Sequence, residues 1–311
     1  MKKPSLEVHI PISPNQHFFT MNHYLLESFK VFAGDIYENT KFVFTVGSSE
    51  PWRDLSNELN WAKDYNVEWR WIDPKTFNKY SYFATAVERF KYKFESDMVL
   101  MLDADTMITG SLDQLIQHSY ESNIFTGRLT PRSPFRTLKK PDYEWWKKVF
   151  NEASIEAKKK GEKGTKKYNG SNYHFFIPYF NHGVLLAPSS EMSKVGSTIY
   201  DEMEAVVRVK ETVYKCQIGV CLAIMRHGIL YQKLPKKFNF TFNFDQYRLI
   251  PDDDLQDVRI CHYAGRGPIQ KRVYFQDSDS VENMIKENFP HSCDQFFQRK
   301  VQAVHNSIKN L

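Results

Sequence analysis

Cysteine is scarce in this chain of 311 residues: Cys216, Cys221, Cys261 and Cys293 are all there is, and no two have CxxC spacing. That argues against a disulfide framework or a thiolate zinc site. Cys216 and Cys221 lie in an apolar helical context and read as buried free thiols. Long apolar runs are missing too. No stretch approaches the roughly 18 residues needed to span a bilayer, and Met1-Lys2-Lys3-Pro4-Ser5 leads into Leu6-Glu7-Val8-His9-Ile10 without the apolar core of a secretion signal. The expectation is a reduced, cytoplasmic protein with at most peripheral membrane contact. No Gly/Ser-rich or Pro-rich linker divides the chain, so residues 1–311 read as a single domain. Charge of one sign is not in large excess either. The net charge is +5, and the lysines gather at Lys139-Lys140, Lys147-Lys148, Lys158-Lys159-Lys160, Lys163, Lys166 and Lys167. A run interrupted by Gly161 and Gly164 reads as a solvated loop. With no nucleic-acid motif beside it, nucleic acid is not an expected partner.

Aromatic rings, by contrast, abound: 17 Tyr, 24 Phe and 6 Trp exceed what a core requires, so some are expected to line a cleft. The most informative segment is Met98-Val99-Leu100-Met101-Leu102 followed by Asp103-Ala104-Asp105. Five uninterrupted apolar residues read as a buried strand of a mostly parallel sheet. In open α/β sheets the carboxyl ends of such strands face the ligand crevice. If the strand continues, Asp103 and Asp105 point to the same side. Two close carboxylates repel each other unless neutralised, which a hard divalent cation with oxygen ligands would do. The alternative, simple turn chemistry at Asp105-Thr106, fits poorly with the apolar pair Met107-Ile108 just beyond.

Strand and helix patterns alternate along the chain. Residues 6–12, 41–46 and 67–72 read as strands, with helices over 21–29, 52–64 and 82–95. After Gly110 a helix opens with Ser111 as its N-cap, and 123–126 forms a short strand. From 128 to 176 the alternation fails, with prolines at 131, 134 and 141 and rings at Tyr143, Trp145 and Trp146, so this span reads as an insertion beside the cleft. The two tryptophans read as packing on the core in preference to a sugar-stacking platform. Phe180 to Pro188 returns to a strand with the polar triplet Asn181-His182-Gly183 at its start; helices follow over 190–209 and 211–227, with a short strand at 229–231. Val258-Arg259-Ile260-Cys261-His262 again delivers a polar side chain from an apolar run, and His262 qualifies as a third metal ligand. The segment 280–311 closes the chain with helices whose Phe296, Phe297, Val301, Val304 and Ile308 have the spacing of a docked amphipathic helix.

Taken in order, the Asp103-Ala104-Asp105 strand, Phe180-Asn181-His182-Gly183-Val184, a helix bearing Gln217, Leu234-Pro235-Lys236-Lys237-Phe238-Asn239 and His262-Tyr263-Ala264-Gly265 resemble the glycogenin-like and bacterial galactosyltransferase-like glycosyltransferases of the GT-A fold. The resemblance covers roughly residues 6–126 and 178–275. It implies an α/β fold, a Rossmann-like mixed sheet flanked by helices, and a nucleotide-diphosphate-sugar donor, typically a uridine one, bound with Mn²⁺ or Mg²⁺. By the same resemblance Asp103, Asp105 and His262 hold the metal. Pro11, Ser13 and Asn15 hold the nucleobase, and Arg89, Ala104, Gly265, Arg266 and Lys271 meet the donor. Asn181 and Gln217 face the sugar, whose anomeric configuration such enzymes retain. The chemistry agrees, since charge left on a departing diphosphate is stabilised by a cation and basic groups.

Two positions depart from the family pattern: His182 replaces a small residue, and Cys216 stands where an acid usually precedes Gln217. His182 therefore competes as the base of an inverting attack. The expected activity is transfer of a sugar to a hydroxyl of a glycan or other acceptor. Two alternatives stay open. One is a non-catalytic nucleotide- or sugar-binding module derived from such an enzyme. The other is a sugar nucleotidyltransferase, which Pro11-Ile12-Ser13-Pro14-Asn15 disfavours because it contains no glycine to cradle phosphate.

Overall fold

A computed structural model describes residues 3–130, 133–135, 142–155, 177–242, 255–263 and 271–310. The chain begins with β1 (Leu6–Ile12), α1 (Gln16–Phe32), β2 (Thr40–Val46), α2 (Leu55–Glu58) and β3 (Val67–Trp71). It continues through α3 (Pro74–Tyr80), α4 (Tyr82–Glu88), β4 (Met98–Leu102), β5 (Thr106–Ile108), α5 (Asp113–Ser122), β6 (Phe125–Leu129) and α6 (Asp142–Glu152). Then come β7 (Phe180–Pro188), α7 (Ser189–Val209), α8 (Lys215–Arg226), β8 (Tyr231–Lys233), β9 (Phe240–Thr241) and β10 (Ile260–His262). Two further helices, here α9 (Ser278–Lys286) and α10 (Ser292–Lys309), close the described chain. No described helix is long and apolar enough to cross a membrane.

The expected mixed α/β architecture is what forms. A seven-stranded sheet has the order β3-β2-β1-β4-β7-β6-β8, and a small sheet has the order β5-β10-β9. The pairs β2-β3, β1-β2, β1-β4 and β6-β8 are parallel, while β7 runs antiparallel to both neighbours. Alternation along the central strands divides the core between two faces. Leu6, Val8, Ile10, Met98, Leu100 and Leu102 pack under α1 and α10, whereas Val99, Met101, Leu185 and Ala187 pack under α4, α7 and α8. α7 lies so close that a side chain at Gly196 would meet the Phe90 carbonyl at 1.9 Å. This contact pins the segment just after α4. A third cluster joins α6 to α7 and α8; Trp146 is fully buried in it, as the core-packing reading anticipated.

Three local expectations need correction. The helix expected over 52–64 is a single turn (Leu55–Glu58) and a 3₁₀ stretch (Asn60–Asp64), because Leu59, at φ −113° and ψ 81°, breaks the spiral between them. The one expected over 82–95 stops at Glu88, so Arg89 falls at its carboxyl-terminal cap. The N-cap position of α5 is Leu112, not Ser111: the Ser111 hydroxyl accepts from the Asp113 N–H at 3.2 Å and donates at 2.8 Å to the Asp113 carboxylate, which reaches across to the backbone amides of Asp35 and Ile36.

Candidate active site

β1 and β4 run parallel and adjacent, so the loop after Ile12 and the segment after Leu102 emerge at the same edge of the sheet. The acidic segment is not itself strand. β4 ends at Leu102, and Asp103-Ala104-Asp105 forms a turn whose close is tied by Thr106, with both its N–H (3.2 Å) and its hydroxyl (2.7 Å) donating to the Asp103 carbonyl. Convergence of the two carboxylates therefore comes from a turn, not from the period of a pleated strand. The chain then resumes as β5, whose antiparallel pairing with β10 sets His262 opposite Thr106. The Tyr263 N–H donates to the Asp105 carbonyl at 2.9 Å and locks that register.

Asp103, Asp105 and His262 each offer a ligating atom, and these atoms lie within 4.8 Å of one another. His262 Nε2 is 3.3 Å from Asp105 Oδ1 and 3.9 Å from Asp103 Oδ2. Among the described residues this is the candidate cation centre. Two carboxylates and an imidazole fit a hard or borderline divalent ion such as Mn²⁺ or Mg²⁺. Asp105 and His262 are buried, while the Asp103 side chain keeps a third of its surface open toward solvent.

Arg89 has no exposed surface at all. One nitrogen donates to the Leu102 carbonyl at 2.9 Å, another reaches Asp103 Oδ1 at 3.5 Å, and Nε binds the Ala86 carbonyl at 3.1 Å. Burial works against its charge and Asp103 supports it; a guanidinium stays protonated throughout. Enclosed in this way, Arg89 grips the carboxylate rather than offering itself to a ligand in the cleft.

His182 is buried against Phe90, with ring centroids 6.2 Å apart. Its Nε2 is buried without a hydrogen-bond partner among the described residues. Burial, reinforced by the Arg89 charge, pushes its pKa down to about 3. Cys216 is likewise enclosed, its sulfur 3.6 Å from Met203 Sδ and 3.9 Å from the Phe83 carbonyl, and burial pushes the thiol up to about 12. All four cysteines are buried. Gln217, one residue on, is half-buried at the start of α8.

Asn181 Oδ1 accepts from the Gly183 N–H and from Asn239 Nδ2, each at 3.0 Å, and Asn239 Oδ1 in turn lies 3.2 Å from His262 Nδ1. Asn239 is fully buried, with its carbonyl held by Arg128. Sequence reasoning gave neither Asn239, Arg128 nor Gly183 a role. The signal was present in the Leu-Pro-x-x-Phe-Asn segment, which ends on Asn239. Pro11 lies within β1, and Asn15 is the N-cap of α1, accepting from the Phe18 N–H at 3.1 Å; the Asn15 N–H bonds the Ser13 carbonyl at 2.8 Å. Ala104 is buried in the acidic turn. Gly265, Arg266, the side chain of Lys271 and most of the 128–176 insertion lie outside the described residues.

A mixed sheet that ends on an acidic turn, with a histidine delivered alongside by a separate small sheet, has the architecture of the GT-A fold. The sequence profile of the Rhodobacterales glycosyltransferase domain matches residues 13–228, well over half of the chain, and the chain belongs to that family. No curated protein matches it. Among solved structures it is similar to the galactosyltransferase LgtC in complex with donor and acceptor sugar analogues, at TM-score 0.57 and 14% identity over 97% of this chain and 95% of that one. It is also similar to mouse xyloside xylosyltransferase 1 (TM-score 0.52, 14% identity, 85% and 99% covered) and to the bifunctional glycosyltransferase WbbM (0.53, 16%, 96% and 52%). At such identities the likeness speaks for the fold.

Proposed function

We propose that this glycosyltransferase moves a hexosyl group from a uridine-diphosphate sugar to a hydroxyl of a glycan or similar acceptor, with Mn²⁺ or Mg²⁺ and with retention of anomeric configuration. The observation that carries the reading is the gathering of Asp103, Asp105 and His262 ligand atoms within 4.8 Å at the carboxyl edge of the parallel strands. That edge is where open α/β sheets bind ligands. A bound divalent cation supplies stabilisation of the negative charge that develops on the leaving diphosphate.

The protein's own groups do the positioning. Asp105, at the bottom of the turn, and His262 Nε2 face one point, while Asp103, more open, is held by Arg89 from beneath. The loop from Pro11 to Asn15 borders the same edge and is the place for the nucleobase, with its backbone fixed by the α1 cap and by Arg53 on the Pro14 carbonyl at 3.1 Å. Asn181 and Gln217 are the proposed sugar contacts; Asn181 Nδ2 has no protein partner among the described residues. His182 supports retention, because an enclosed imidazole with so low a proton affinity does not serve as the base that activates an acceptor for inversion.

The test is donor hydrolysis with UDP-glucose and UDP-galactose, following UDP release with and without Mn²⁺. Metal-dependent release in the wild type that disappears in Asp105→Ala is the expected result. Wild-type release that is indifferent to chelator would overturn the reading.

A further inference from the structure

Three hydrogen bonds in series lead from the backbone of β7 to the imidazole of His262: Gly183 N–H to Asn181 Oδ1 (3.0 Å), Asn239 Nδ2 to Asn181 Oδ1 (3.0 Å), and Asn239 Oδ1 to His262 Nδ1 (3.2 Å). Their direction is not free. A backbone N–H can only donate, so the Asn181 atom that meets it must be oxygen. The Asn239 atom facing that oxygen must then be its NH₂ group, which turns the Asn239 oxygen toward the ring. An oxygen there accepts, so His262 Nδ1 carries the proton and Nε2 is the nitrogen presented to Asp103 and Asp105. The chain's polarity is thus set by a peptide group that cannot be reversed.

We propose that Asn181 and Asn239 are positioning residues that fix the tautomer and orientation of His262 for cation binding. The fit of the parts supports this. Asn239 is fully buried, its N–H bonds the Lys236 carbonyl at 3.1 Å, and its own carbonyl is held by Arg128, so its amide has little freedom to turn. Gly183 brings its peptide close beneath the ring, where a Cβ would lie 2.2 Å from His262 Cε1. Groups that hold the second nitrogen of a metal-binding histidine typically govern affinity 10- to 100-fold. The proposal deepens the metal-dependent reading and rests on it, but the protonation of Nδ1 can be read without metal.

Two measurements test it. In metal-free, ¹⁵N-histidine-labelled protein, with His262 assigned by its loss in His262→Gln, Nδ1 is expected to carry a directly bonded proton. In calorimetric titration with Mn²⁺ alone, Asn239→Leu is expected to bind about 10- to 100-fold more weakly than wild type. Asn181→Leu should also weaken binding, whereas Asn181→Asp should match or exceed wild type, because a carboxylate accepts from both Gly183 and Asn239. A bare Nδ1 in the wild type overturns the proposal, as does wild-type affinity in Asn239→Leu. Should Asn239→Leu fail to fold, the wild-type spectrum and the Asn181 pair decide. A protonated Nδ1 in a protein that binds no Mn²⁺ would support the relay and overturn the function proposed above.

Discussion

Gly183→Ala isolates the packing of His262 from its chemistry. Gly183 does not occupy the left-handed region, so alanine introduces no backbone strain and the effect is steric. The added carbon would sit 2.2 Å from Cε1 and 2.3 Å from Nδ1 of His262, and 2.9 Å from Asn181 Oδ1. Ordinary contact begins near 3.4 Å, so the ring must retreat by about 1.2 Å, and the Asn181 end of the relay must yield too. Over-packing of this kind costs about 1–3 kcal/mol of stability. A displacement near 1 Å in a reacting constellation costs on the order of 10²-fold in rate. The assay pairs Mn²⁺ titration with turnover of UDP-sugar, and thermal unfolding of the metal-free protein serves as control. The expected result is a small drop in melting temperature with a large loss of Mn²⁺ affinity and turnover. A variant that melts lower yet binds Mn²⁺ and turns over like wild type would refute the reasoning, because the ring would then have no fixed place to lose.

Arg89→Lys keeps a buried cation but cannot reach both the Leu102 carbonyl and Asp103 as the planar guanidinium does. The Mn²⁺ concentration for half-maximal activity should rise roughly tenfold; an unchanged value would show that Asp103 needs no support. For His182 the sign follows from its depressed pKa: between about 3 and the ordinary histidine value of 6.5 the unfolded chain binds a proton that the folded one excludes, so its burial costs stability as pH falls below 6.5. His182→Leu should therefore lose less stability than wild type between pH 7 and pH 5, by up to about 2 kcal/mol in urea unfolding. Equal losses would contradict this. Phe297, on α10, packs on Phe242, Tyr263 and Phe275, with ring centroids 5.5, 5.2 and 6.3 Å away. Phe297→Ala should cost about 3–5 kcal/mol, measured by denaturant midpoint; a change below 1 kcal/mol would mean that the carboxyl-terminal helix does not support the site.

The centre of the sheet was legible because its inner strands are buried on both faces, and buried runs such as Met98–Leu102 and Phe180–Pro188 stand out as apolar blocks. The meeting of Asp103, Asp105 and His262 was legible for a related reason, since each apolar run ends abruptly in a ligating side chain. Shorter helices were not. Amphipathic spacing does not separate an α-helix from the one-turn and 3₁₀ pieces at 55–64, and nothing local announces that Glu88 is the last helical residue before a buried arginine. The reach of Asn239 to His262 depends on a contact across 23 residues between the residue just before β9 and β10, and its polarity on a peptide N–H in β7. Such information lives in tertiary register, which periodicity does not carry. His182 reads as a base because it is a histidine beside an asparagine expected to face the sugar; its burial beside Arg89, unseen in the sequence, lowers its affinity for a proton.

Crystals soaked with MnCl₂ and UDP, with diffraction recorded at the manganese absorption edge, test the central claim most directly. The expected result is an anomalous peak bonded to His262 Nε2 and to the carboxylates of Asp103 and Asp105, with Nδ1 still on Asn239. A peak at any other position, or none between these three side chains while UDP is bound, would contradict it.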